Sequence, residues 1–193
     1  MCKYKWVLAS ASPRRKEILS SLLDTFEIRV SEADESFNET DPKEIVKEIA
    51  AHKGMAVLKN VEEGEIVIAA DTLVFVDKRI LGKPADINEA REMIRMISGR
   101  EHYVASGVFV GIKKEGKYEY DCFSEISTVY TDALTEEEIE NYINTKEPYD
   151  KAGGYAIQGL FGKHIKGIKG DYYNIVGFPL NAFYNYCKNK GYL

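Results

Sequence analysis

An α/β fold is predicted by the order of elements in this sequence, in which strand-like and helix-like segments follow one another along the chain. Three observations carry the prediction. Residues 66–76 form a near-continuous apolar run, the pattern of a strand covered on both faces. Capped helix starts recur at Ser12-Pro13, Asp41-Pro42, Asp86 and Thr135. Residues 103–112 and 118–130 read as the two arms of a long hairpin around Lys114-Glu115-Gly116. A chain of 193 residues, 45% hydrophobic and 30% charged, fits one globular domain over 1–193 with a sizeable core.

In order, residues 5–9 read as a buried strand. A helix over about 13–23 follows, with Ser12 as N-cap and Pro13 in the first position. Residues 26–30 alternate as a second strand, and Ser31-Glu32-Ala33-Asp34-Glu35-Ser36-Phe37 reads as an acidic loop. Asp41, Pro42 and Glu44 open a helix to about residue 59, with a capping-box-like pattern and a stripe of Val46, Ile49, Ala50, Ala56 and Val57. The apolar run turns at Asp77-Lys78 and returns through Arg79-Ile80-Leu81 to Gly82-Lys83-Pro84. A helix from Asp86 presents Ala90, Met93, Ile94 and Ile97 to a core and stops at Gly99. Thr135 and Glu138 form a capping box for a helix to about residue 144. Of 15 glycines, 7 lie between Gly153 and Gly177, a region of tight turns. Residues 178–190 read as an amphipathic closing helix with Phe183 and Tyr184 inward.

Several residues sit where local stability does not ask for them. Arg14, Arg15 and Lys16 crowd the first turn of a helix, the end that prefers anions. A solvated basic turn is the plain reading; a helix N-terminus with two guanidinium forks also suits a polyphosphate. Lys53 falls on the apolar stripe of its helix, where its stem either snorkels to water or carries the amine into an interior toward an anion. Asp71 interrupts the apolar strand, where a carboxylate must be paired, hydrogen-bonded or metal-bound. There it can serve as a metal ligand or general base. Lys83 is held between Gly82 and Pro84 on the returning arm, and Gln158 beside Gly159 offers both donor and acceptor to a base edge. The acidic loop, most simply solvated, could also supply Glu35 to Mg²⁺, which takes one or two carboxylates with phosphate oxygens. His52, His102 and His164 lack ligand-like spacing and read as surface or packing residues.

Net charge is −5, which attracts neither nucleic acid nor an anionic membrane. Cys2, Cys122 and Cys187 are scattered and odd in number, against a disulfide scaffold or thiolate metal site and in favour of the cytoplasm. No signal peptide or membrane-length apolar run is visible. Neither a P-loop nor a G-x-G-x-x-G fingerprint occurs. Four cations with two carboxylates amount to a site for a nucleoside polyphosphate bound through a divalent metal.

Ser10-Ala11-Ser12-Pro13-Arg14-Arg15, Ala70-Asp71-Thr72, Gly82-Lys83-Pro84, Ser98-Gly99-Arg100, Lys151-Ala152-Gly153 and Gly177-Phe178-Pro179-Leu180 resemble, in order, the motifs of the Maf-like nucleotide pyrophosphatases. The resemblance spans nearly the whole chain; Phe178 stands where Leu is more usual. It implies an elongated α/β fold with a mixed, curved sheet and two lobes around a long nucleotide cleft, similar to the inosine triphosphate pyrophosphatases. It implies a hydrolase that needs Mg²⁺, Mn²⁺ or Co²⁺ and cuts a nucleoside triphosphate into monophosphate and pyrophosphate. Carried over, Asp71 would activate water and hold metal with Glu35. Ser10, Arg14, Arg15, Lys53 and Lys83 would grip phosphates, and Arg14, Thr72 and Gln158 would set substrate choice. Tyr155-Ala156-Ile157-Gln158-Gly159 resembles the branch acting on dTTP and UTP, a house-cleaning activity. A 7-methyl-GTP pyrophosphatase and a non-catalytic nucleotide-binding regulator of septum formation stand as alternatives. A homodimer is the assembly the family implies.

Overall fold

The computed structural model describes residues 4–193, so Cys2 lies outside the described residues. Seven strands form one mixed sheet: β1 (Lys5–Leu8), β2 (Glu27–Ile28), β3 (Glu65–Val76), β4 (Arg79–Leu81), β5 (Glu101–Lys114), β6 (Lys117–Thr131) and β7 (Ile165–Lys169). The order is β2-β1-β3-β5-β6-β7, with β4 paired to β3. β1 is parallel to both β2 and β3, in a register that sets Leu8 against Ile28 and Ile68. β4 is antiparallel to β3 and β7 to β6. The helices are α1 (Pro13–Ser20), α2 (Pro42–Leu58), α3 (Ile87–Ile97), α4 (Glu136–Ile143), α5 (Tyr172–Val176) and α6 (Leu180–Lys190).

Local chemistry accounts for these boundaries. Ser12 caps α1 by accepting from Arg15 N–H, and Asp41 caps α2 by accepting from Lys43 N–H. Asp86 accepts from Asn88 and Glu89 at the start of α3, and Thr135 and Glu138 close the expected capping box on α4. Two tight hairpin turns, Asp77-Lys78 and Glu115-Gly116, have positive φ at both residues, the twist that suits two-residue hairpins. Gly191, at φ 67°, ends α6 in the left-handed conformation.

The chain divides into two compact units. One takes the chain up to Asp71, Ser106–Glu125 and Gly177–Leu193; the other takes Thr72–Ala105 and Ile126–Val176. In the first, Val7, Ala9, Ala50, Val57, Leu58, Val67, Ala69 and Phe109 share a core. The α2 helix packs very closely on β5 there. A Cβ on Gly107 would lie 2.2 Å from the Val46 carbonyl oxygen, and one on Gly54 would lie 2.1 Å from the Phe109 ring. In the second, Val74, Ile94, Ile97, Val104, Val129, Ile143 and Phe161 are central. Each unit therefore buries its own apolar set, which supplies most of the stabilisation.

Several expectations change in detail. Glu44 forms an ion pair with Lys47 instead of completing a capping box. On α2 the buried face is Ile45, Val46, Ile49, Ala50, Gly54, Val57 and Leu58, and Ala56 is exposed. On α6, Cys187 is buried with Phe183 one turn away, while Tyr184 is exposed. β7 and α5 had no counterpart in the expected elements. Cys122 and Cys187 are free thiols.

His102 is fully buried, with Nε2 2.6 Å from the Tyr155 hydroxyl. Burial pushes its pKa down from 6.5 to about 4. Below pH 6.5 the unfolded chain therefore binds a proton that the folded chain refuses. Stability is full above that pH and is lost as pH falls toward 4, by on the order of 3 kcal/mol in all. Urea unfolding between pH 7 and 4 should show this slope in the native protein and a flatter one in His102→Gln.

Candidate active site

β1 and β2 end at the same edge of the sheet, beside the middle of β3 to which β1 is parallel, and the ends of parallel strands are the usual position of ligand sites in open α/β sheets. β1 runs into Ser10 and the start of α1. β2 runs into the acidic loop, its exit fixed by Arg29 N–H donating to the Leu8 carbonyl at 3.1 Å. β3 continues three residues beyond Ile68 to Asp71. The register brings the basic turn and Asp71 to one edge of the first unit, and Glu35 reaches the same place through its contact with Lys53.

At the α1 end, Arg15 is anchored twice. Its Nε donates to the Gly177 carbonyl at 3.0 Å and its Nη1 to Ser10 Oγ at 3.2 Å. Ser10, buried, also accepts from Ser12 N–H at 3.2 Å. Burial lowers the Arg15 pKa; the Asp71 and Glu35 charges oppose that shift, and the neighbouring Arg14 adds to it. Arg14 thus adds a second like charge beside an Arg15 guanidinium held by a backbone and a hydroxyl oxygen, a concentration of positive charge that suits an anion.

Lys53 settles its own ambiguity. Its side chain is 13% exposed, and Nζ lies 2.7 Å from Asp71 Oδ1 and 2.7 Å from Glu35 Oε1. The stem follows the buried face of α2 and the amine ends on carboxylates. This pairing offsets the cost of burying Asp71, which is 8% exposed. The acidic loop is tied to the same helix, since Asn38 and Glu39 N–H groups donate to Glu48 Oε2 at 3.0 and 3.3 Å.

Mg²⁺ is held by one or two carboxylates together with phosphate oxygens and water. The Glu35 and Asp71 carboxylates both reach one cationic atom, the Lys53 ammonium, at 2.7 Å each, so the two lie close enough together to share a ligand. Among the described residues no three or more His, Cys, Asp or Glu side chains form a group that could hold a metal. The donor set fits an ion that completes its shell with phosphate oxygens and water.

The remaining candidates belong to the second unit. Thr72 follows Asp71 on β3 and is half-buried. Lys83 is exposed, on a turn whose Gly82 carbonyl accepts from Gly153 N–H at 2.9 Å. The β3–β4 register, Val74 against Leu81, brings Lys83 toward the level of Thr72 when extended. Gln158 is exposed at the tip of a turn closed by Gly159 N–H donating to the Ala156 carbonyl at 3.1 Å.

The sequence profile of the Maf-like proteins matches residues 5–190. The chain belongs to the Maf-like family. Among individual relatives, a dTTP/UTP pyrophosphatase of Lachnoclostridium phytofermentans is 47% identical over 97% of this chain and 96% of its own. One of Clostridium novyi is 44% identical over 97% and 98%. Among solved structures, the Ham1 protein of Staphylococcus aureus superposes with a TM-score of 0.54 at 11% identity, covering 96% of this chain and 99% of its own. That likeness concerns the fold. The Maf-like motifs now have structural partners: Gly177 holds Arg15, and the Lys151-Ala152-Gly153 segment holds the turn that carries Lys83.

Two contributions were not legible in the sequence. Gly177 stood in a family motif with no role assigned to it, yet its carbonyl orients Arg15 from 162 residues away, and Glu48 steers the acidic loop. A backbone acceptor leaves no residue-type signature, and a helix-surface Glu is indistinguishable from a solubilising one.

Proposed function

We propose that this Maf-like chain hydrolyses dTTP and UTP, and modified pyrimidine triphosphates, to the monophosphate and pyrophosphate. The observation that carries the reading is the Lys53 ammonium 2.7 Å from both Asp71 and Glu35, beside the anchored Arg15. The curated relatives named dTTP/UTP pyrophosphatase fix the substrate class.

In this reading Asp71 takes the proton of the attacking water, from a rigid strand that holds the carboxylate in place. Lys53 has three N–H donors, of which two meet carboxylates and a third serves a phosphate oxygen. Arg14 and Arg15 carry the charge of the triphosphate, with Ser10 and Lys83 as further phosphate ligands. Thr72 and Gln158 join Arg14 in selecting the base. A divalent cation, Mg²⁺, Mn²⁺ or Co²⁺, held by Glu35 and Asp71 would neutralise phosphate charge during the displacement. The enzyme would act on free nucleotides in the cytoplasm as a homodimer, in a house-cleaning role. No described helix is long and apolar enough to cross a membrane.

A triphosphate panel with Mg²⁺ or Mn²⁺ tests the substrate. Pyrophosphate release is expected from dTTP and UTP and not from 7-methyl-GTP. The reverse order would move the chain to the other branch, and tight binding without products would make it a regulator.

A further inference from the structure

The turn that presents Gln158 is exposed at its tip and firmly held at its base. A half-buried carboxylate, that of Glu147 just beyond α4, does most of the holding. Its Oε2 accepts from Leu160 N–H at 2.7 Å. Its Oε1 accepts from Phe161 N–H at 3.2 Å and from the Tyr142 hydroxyl at 2.9 Å. That hydroxyl is also 3.2 Å from the Gly154 carbonyl, at the other end of the segment. Burial and the adjacent Glu147 raise the Tyr142 pKa, so the phenol stays protonated as a donor. Gly159 is what admits the carboxylate so close, since a Cβ there would lie 2.2 Å from Glu147 Oε2. Tyr155 closes the near end, buried, with its hydroxyl on His102.

The segment from Gly154 to Phe161 is thus pinned at both ends by charge-assisted or buried hydrogen bonds, with Gln158 between them. A turn that only connected two elements would not need a carboxylate satisfied by three donors. We propose that Glu147 is a positioning residue for base selection. It fixes the turn so that the Gln158 amide is held in one place, without itself touching the nucleotide. The inference rests on the reading of Gln158 as a base-selecting residue.

The test is kinetic. Glu147→Gln keeps the size and one acceptor but removes the charge and turns an amide N–H₂ toward backbone donors. Expected is a fall of roughly tenfold in kcat/KM for dTTP and UTP, entering through KM with kcat little changed. GTP turnover should change little, so the pyrimidine-to-purine ratio contracts. Tyr142→Phe, which removes one of the three donors, should move the ratio the same way by less. Gln158→Ala should contract it too, and the double variant Glu147→Gln with Gln158→Ala should be no worse than Gln158→Ala alone. An equal loss on every substrate, or additive effects in the double variant, would assign Glu147 to folding alone and overturn the proposal. If Gln158→Ala leaves the ratio intact, the base-reading role itself fails and the proposal falls with it, an outcome distinct from the first two.

Discussion

Asp71→Asn should leave a folded protein whose turnover of dTTP is down by about 10³-fold. The substitution keeps the shape and still offers Lys53 Nζ an oxygen in place of the one now at 2.7 Å. It removes the proposed proton acceptor and one of the two carboxylates proposed to hold a metal. The loss should therefore fall on kcat, while the melting temperature moves by a few degrees at most. Pyrophosphate release followed alongside a thermal melt checks both. A variant that keeps near-native turnover would take Asp71 out of the chemistry, and one that fails to fold would make its pairing with Lys53 structural first.

Gly107→Ala is expected to have the largest effect of any change away from the charged site. The new Cβ would meet the Val46 carbonyl oxygen at 2.2 Å and Lys47 N at 2.7 Å, both backbone atoms that cannot rotate away. α2 must move off β5, at a cost of about 3 kcal/mol. For a chain of this size that lowers the melting temperature by about 10 °C. Lys53 lies two helical turns beyond Val46 on the same helix, so the displacement also reaches its contacts with Asp71 and Glu35. A shift of about 1 Å there can cost on the order of 10²-fold in rate. Melting temperature and kcat should fall together; a variant as stable as the native protein would show that the helix can slide without cost.

Much of the fold was legible because its punctuation is local. Ser12, Asp41, Asp86 and Thr135 announce helix starts through side-chain acceptors acting within three residues, and the structure places each cap there. Asp71 and Lys53 stood out because each contradicts its apolar surroundings, and the two prove to be partners. What was hidden depends on distance in the chain. β7 and α5 lie in the glycine-rich region, where weak propensity is overridden by pairing with β6 and by contacts such as Asn174 Nδ2 donating to the Val104 carbonyl. Tyr184 was expected inward; α6 instead buries Cys187, which repeats one turn after Phe183. The Gly177 carbonyl and the Glu147 carboxylate act on segments that sequence spacing does not connect to them.

Hydrolysis between the α and β phosphates, with Asp71 as the base, predicts a definite set of products. Phosphorus NMR of the products after the native protein and Asp71→Asn have each been given dTTP with Mg²⁺ tests it most directly. The native protein should yield dTMP and pyrophosphate in equal amounts, with the variant's spectrum still that of dTTP. Release of dTDP and orthophosphate, or the same products at the same rate from the variant, would contradict it.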